Sequence, residues 1–298
     1  MTLKELFERT PRAKFITWSL GLITIIVAEI ALTVAIPEWR NLFYNVLETK
    51  AVDDFTSSLV LFGILMTGMG LVQGIKTWTA QKISFIVREA QTKTLFRRWV
   101  NGERTAPNYT QAMTEAVRNS TELYLEILVE IVISLAIVIA LILANLHNPL
   151  ILVSSLTYTI LVSLVALLFN KPLITRDMEW QQAEGEFREN LTDIVNGHED
   201  FSYATKWARV STAYGKYILT LMNFTLFTRT KGSLSTLVPY ILLASAYFAG
   251  TMTLGGFMAG VATFELIVVN ATIVMMLYPK LTKARASKQI IKEFQNKL

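Results

Sequence analysis

The sequence contains no cysteine and only two histidines, His147 and His198, among 298 residues. Without cysteine, disulfides, thiolate metal sites, a cysteine nucleophile and S-palmitoylation are excluded. The two histidines lie far apart in sequence and have no partner at ligand spacing, which argues against a metal centre. Both read more simply: His147 as a turn residue beside Asn148-Pro149, and His198, in the segment NGHED, as a solvated or capping residue. Charge is also scarce, at 17% of residues against the quarter usual in soluble domains. No G-x-x-x-x-G-K-[ST] segment is present to wrap phosphates, and the glycines of Gly250–Gly256 have no lysine beside them. The sequence therefore carries no nucleotide site, no cofactor motif and no hydrolase triad, and the chain reads as a non-enzyme.

What the chain has in excess is apolar residues, 52% of the total. They gather in runs of about 20, the length that spans a bilayer. Six runs stand out: Phe15–Ile36, Leu59–Trp78, Ile127–Leu146, Leu150–Phe169, Leu234–Gly250 and Phe257–Tyr278. The first has a basic start, but it is too long for a signal peptide and has no small-residue cleavage site, so a retained membrane helix is expected. Of the 28 lysines and arginines, 26 fall in the N-terminus, Lys76–Arg118, Lys171–Lys231 and Lys280–Lys297. The Pro37–Phe55 connection holds only Arg40 and Lys50, and those at His147–Pro149 and Thr251–Gly256 hold none. With six spans this is a positive-inside pattern with both termini cytoplasmic. The net charge of +5 then reflects topology and not a nucleic-acid surface.

The basic segments read as helices that continue out of the membrane. Residues Lys76–Trp99 extend the second span, and Met178–Tyr217 is helical, with Glu184 and Arg188 spaced as an i,i+4 pair. The expected organisation is all-α: one transmembrane domain over residues 1–298, with cytoplasmic helical extensions at about 79–118 and 171–231. Short outer turns are expected at Asn148-Pro149 and Thr253-Leu254-Gly255-Gly256.

The chemistry to be explained is carboxylate placed in or beside the apolar runs. A charge at mid-bilayer costs about 2.5–3.5 kcal/mol on insertion scales, so such acids face a cavity or a partner. Glu29 lies deep in the first span and Glu265 in the middle of the sixth. Glu122, Glu126 and Glu130 share one helix stripe, spread over about 12 Å. Crowded acids raise one another's pKa, so a stripe of them forms a plausible proton path. Two roles remain open for Glu122, because Asn119-Ser120-Thr121 is also a good N-cap region. Lys76 is either a counter-ion for these acids or a side chain snorkelling at the interface, the simpler reading.

Several segments carry a family resemblance. Trp39-Arg40-Asn41-Leu42-Phe43-Tyr44-Asn45-Val46-Leu47 resembles the Trp-x-x-x-Phe-Tyr-[Asp/Asn]-x-Leu element of SbmA/BacA-type peptide transporters and of related fatty-acyl-type ABC transporters. Glu184-Gly185-Glu186-Phe187-Arg188 is similar to that family's Glu-Gly-[Asp/Glu]-[Phe/Tyr]-Arg, and Glu199 stands where it has a further acid. Pro239-Tyr240, Tyr247-Phe248-Ala249-Gly250, Leu254-Gly255-Gly256-Phe257-Met258 and Ala262-Thr263-Phe264 follow its run in order, and Arg285-Ala286 resembles its Arg-Ala after the sixth helix.

The resemblance implies six long transmembrane helices of ABC-exporter type, a homodimer around a central cavity, and proton-driven uptake of peptides or similar bulky solutes across the bacterial inner membrane. It further implies acids in proton coupling at Glu122, Glu184 and Glu199. Glu265 stands where the family has Gly or Gln. Residues Asn108–Thr114 keep little of the family segment before the third helix, and its extra N-terminal helix is not apparent. Membrane lipid and the solute are the expected partners, with no nucleic acid. Two alternatives stand: a membrane subunit with a separate ATPase chain docking near Asp193–Lys206, or a non-transporting receptor or immunity protein.

Overall fold

The structure is a computed structural model that describes residues 12–101, 112–195 and 203–296. Its described part consists of helices joined by short turns, with no strand among the described residues. The helices are α1 (Arg12–Thr49), α2 (Val52–Asn101), α3 (Val117–Ala144), α4 (Pro149–Val195), α5 (Tyr203–Phe248), α6 (Leu254–Ala271) and α7 (Ile273–Asn296), with a π-helical turn at Ala112–Ala116 leading into α3. At 1.5 Å per residue the 50 residues of α2 reach about 75 Å, far beyond a hydrocarbon core of about 30 Å. The second helix thus continues well past its apolar run, as expected from its lack of breakers. Among the described residues, five helical stretches are long and apolar enough to cross a membrane: Ala13–Thr49, Val52–Asn101, Met113–Ala144, Pro149–Phe187 and Leu254–Lys292. The expected span at Leu234–Gly250 closes α5, where Ser235, Thr236 and Pro239 dilute the apolar run.

Three local expectations are corrected. Residues 37–49 are not a loop: α1 runs through Pro37 to Thr49, and the connection is only Lys50-Ala51, with Lys50 left-handed at φ 57°. A proline normally marks a helix boundary. Here Pro37 is buried in an apolar helix, where neighbouring helices favour continuation over exposed backbone. Asn119-Ser120-Thr121 is no N-cap, because Ala112–Ala116 before it is already a helical turn; the Thr121 hydroxyl donates back to the Val117 carbonyl at 2.8 Å. Nor do Leu254, Gly255 and Gly256 form a turn. Thr253 is the N-cap of α6, its Oγ1 accepting the Gly256 N–H, and the turn before it uses Gly250 at φ 71°.

The chain divides into two compact units, residues 1–155 with 239–298, and residues 156–238. In the first, α3 is the central helix. Val129, Ile133, Ile137 and Leu141 form a stripe at i,i+4 spacing, buried with Leu22, Ile83 and Ile267. Leu128, Val132, Leu135, Ile139 and Leu143 on its other faces are exposed. A helix apolar all round is the pattern of a membrane-embedded element. Farther down, Ile127 meets Leu277 and Ala284, and Leu95, Met113, Val117 and Phe294 make a third cluster.

The second unit is a pair of antiparallel helix segments from α4 and α5, joined by side-chain contacts. The Tyr158 hydroxyl donates to the Lys231 carbonyl at 3.1 Å, Phe169 stacks on Phe227 at 4.8 Å, and Trp180 stacks on Tyr217 at 5.2 Å. Glu186 pairs with Arg209, and Phe187 lies against Trp207. Leu164, Leu168, Leu219 and Leu226 of this unit point outward, more than half exposed.

Candidate functional site

The first unit carries its charges as ion pairs strung along the helices. Near the turns, Arg40 of α1 faces Glu265 of α6 at 3.7 Å. Deeper, Lys76 of α2 places Nζ 2.8 Å from Glu29 Oε1 of α1 and 3.4 Å from Glu130 Oε1 of α3. Along α3 by one turn, Glu126 meets Lys280 of α7 at 2.5 Å. Glu122, a further turn along, is half-buried in a groove of about 340 Å³ with Trp78, Lys82, Phe85 and Arg88 of α2. Two acids of the α3 stripe, Glu126 and Glu130, are thus each paired with a lysine on another helix, while Glu122 shares its groove with Lys82 and Arg88.

The cluster at Lys76 is the most enclosed. The Lys76 and Glu29 side chains are 12% and 8% exposed, and Glu130 is 34% exposed. Glu29 Oε2 is buried with no hydrogen-bond partner among the described residues. The snorkelling reading of Lys76 is therefore corrected, since its ammonium turns inward to bridge two acids. Burying such ions is offset only when each is paired, and removing one member of a buried pair costs about 3–5 kcal/mol. The cluster joins α1, α2 and α3, and its two carboxylates against one ammonium leave one net negative charge.

The turns of this unit converge on a second feature. Leu254 N–H donates to Glu48 Oε2 at 2.8 Å, and Gly255 N–H donates to Asn45 Oδ1 at 3.0 Å. Asn45 is itself oriented by donating from Nδ2 to Asn41 Oδ1 at 2.9 Å. A Cβ on Gly255 would overlap the Asn41 carbonyl and the Asn45 amide, so only glycine allows this approach. Two motifs of the sequence, Trp39–Leu47 and Leu254–Met258, therefore meet: one caps the helix that the other begins. Trp39 secures the first by donating Nε1–H to the Ser58 carbonyl at 2.9 Å and stacking on Phe62. Beside them lies a cavity of about 240 Å³ lined in part by Glu38, Asn41, Asn145, His147, Asn148 and Thr263. His147 sits in the α3–α4 turn, as expected.

Of the seven acids that the sequence singles out, Glu29 and Glu130 are brought together, through Lys76. Glu122, Glu126 and Glu265 each meet a different set of cations. Glu184 is half-buried on α4 in the second unit. The Arg188 side chain, Glu199 and His198 lie outside the described residues. The basic partners Arg40, Lys280 and Lys82 were not legible from sequence. Their signal is only the charge balance that each membrane acid demands, and finding them requires the register between helices.

The fold is that of an ABC-exporter transmembrane domain. The structure of a bacterial Atm1-family ABC exporter with ATP bound matches with a TM-score of 0.65 over 95% of this chain, at 11% identity. The chain spans about half of that exporter, 54% of its length. Among curated protein sequences none matches. The family model described as ABC transporter transmembrane region 2 matches residues 10–203, about two-thirds of the sequence, and the chain therefore belongs to that family of membrane transport domains.

Proposed function

We propose that the chain is a proton-driven secondary transporter, importing peptides or similar bulky solutes as a homodimer across the bacterial inner membrane, with both termini cytoplasmic. The observation that carries this reading is the series of acids held in the apolar part of the first unit, with the Glu29–Lys76–Glu130 cluster at its centre. Ionisable groups at membrane depth mark substrate or proton paths, and a proton-coupled transporter needs groups that bind and release a proton there. The SbmA/BacA-like segments support the substrate class. Glu122, Glu126, Glu130, Glu29, Glu265, Glu184 and Glu199 are the proposed coupling residues.

The homodimer rests on the resemblance to SbmA/BacA-type transporters, which implies two copies around a central cavity. Orientation follows from the turn end of the first unit, whose connections hold almost no lysine or arginine.

A second reading, a membrane subunit working with a separate ATP-hydrolysing chain, is favoured by the likeness to an ATP-bound exporter. Uptake of a labelled peptide into proteoliposomes with an inward acid gradient and no nucleotide separates the two. Gradient-dependent uptake that Glu122→Gln abolishes supports the first. Uptake only after an ATPase chain and ATP are supplied supports the second.

A further inference from the structure

We infer that Glu29, Lys76 and Glu130 form a proton-binding switch in which Lys76 changes carboxylate partner. This rests on the proton-driven reading above for its purpose, though not for its chemistry. The ammonium reaches both acids, at 2.8 Å and 3.4 Å, and each member comes from a different helix. Glu29 is 6% exposed overall, and its Oε2 is buried and unpartnered among the described residues. A buried oxygen without a donor is a place where a proton is missing, since a carboxylic acid carries its own O–H donor.

Several charges on the helices packed around the cluster are held away from it. Glu265, the single charge on α6, holds Arg40. On α7, Lys280 holds Glu126, and Lys288 lies over the Tyr124 ring. Toward the α2 end, Lys82 stands over Trp78, in the groove that also holds Arg88 and Glu122. The cluster's one net negative charge is thus left for a small cation. A calcium or magnesium ion would need about six or more oxygens, and the ammonium occupies the space between the two carboxylates. A proton fits.

The step balances simply. Hydronium gives its proton to a carboxylate oxygen, an O–H bond forms, water leaves, and Lys76 remains an ammonium throughout. Protonation of Glu29 removes its hold on Lys76, which then belongs to Glu130 and ties α2 to α3. Protonation of Glu130, the more exposed acid, leaves Lys76 to Glu29 and ties α2 to α1. One proton therefore selects which pair of helices is clamped. Such a ligand moves a two-state equilibrium by its difference in affinity for the two states.

The test is infrared difference spectroscopy of the full chain in nanodiscs, stepped from alkaline to neutral pH, on the native protein, Glu29→Gln, Glu130→Gln and Lys76→Arg. The expected result is a carboxylic-acid carbonyl band of one group per chain that is lost in Glu29→Gln or Glu130→Gln and kept in Lys76→Arg. A band of equal area in the native protein and both Gln variants overturns the proposal, as does no band at all. Should Glu29→Gln fail to fold, Glu130→Gln carries the test, because its side chain is partly exposed. Peptide uptake is measured on the same samples. A cluster band without gradient-driven uptake overturns the transport reading and keeps the proton site; uptake without a cluster band does the reverse.

Discussion

The Asn45 side chain accepts the Gly255 backbone N–H at 3.0 Å, tying the end of α1 to the start of α6. This contact joins two segments some two hundred residues apart, Trp39–Leu47 and Leu254–Met258. The asparagine satisfies an amide that begins a helix, and the glycine allows the helices to approach closely enough for it.

Gly255→Ala is accordingly expected to destabilise the first unit by about 1–3 kcal/mol, as overpacking does. Asn45→Ala, which removes a cap without adding bulk, should cost about 1 kcal/mol. Thermal unfolding of detergent-solubilised protein checks both, and an unchanged midpoint for Gly255→Ala would show that the two helices are not in contact.

Lys76→Met leaves Glu29 buried beside Glu130 with no cation, and is expected to cost about 3–5 kcal/mol. The double variant Lys76→Met with Glu29→Leu should regain most of that loss, because a buried ion pair replaced by apolar groups is close to neutral. A double variant no more stable than the single one would argue that Lys76 and Glu29 do not form a pair.

The Glu126–Lys280 pair is a contrast, since both side chains are 45% exposed. Lys280→Gln should change stability by less than about 1 kcal/mol, as solvent screens the interaction. A loss as large as that of Lys76→Met, read in the same melting experiment, would mean that this pair is buried in the assembly.

Tyr217 offers a check on the second unit. Burial against Trp180 and its neighbours, followed by the nearby Asp177 and Tyr214, raises its phenol above the ordinary 10.0. The folded state therefore holds the phenolic proton more tightly than the unfolded chain does. The stabilisation is complete below pH 10.0 and is lost as the pH rises through the higher folded value. Ultraviolet titration of the native protein against Tyr217→Phe should show one late-ionising tyrosine that the variant lacks.

Much of the fold was legible because helix periodicity and run length are local properties. All six apolar runs fall largely within helices, and the straight extension of α2 followed from its lack of breakers. Pro37 and Asn119-Ser120-Thr121 misled for one reason: boundary signals derived from water-exposed helices lose force where surrounding helices exclude water. The candidate site was half legible. A carboxylate at Glu29 or Glu265 announces the need for a partner, but Lys76 and Arg40 become those partners only through the register of one helix against another. The acids of α3 share one stripe of that helix, but in the fold Glu126 and Glu130 turn to lysines on two different helices.

The most direct test of the proton-coupled account is proton influx measured with an internal pH dye in proteoliposomes containing only this chain, on adding peptide outside and without nucleotide. The account predicts peptide-dependent acidification of the interior that Glu29→Gln and Glu122→Gln abolish. Peptide entry with no proton movement, or entry that requires ATP and a second chain, would contradict it.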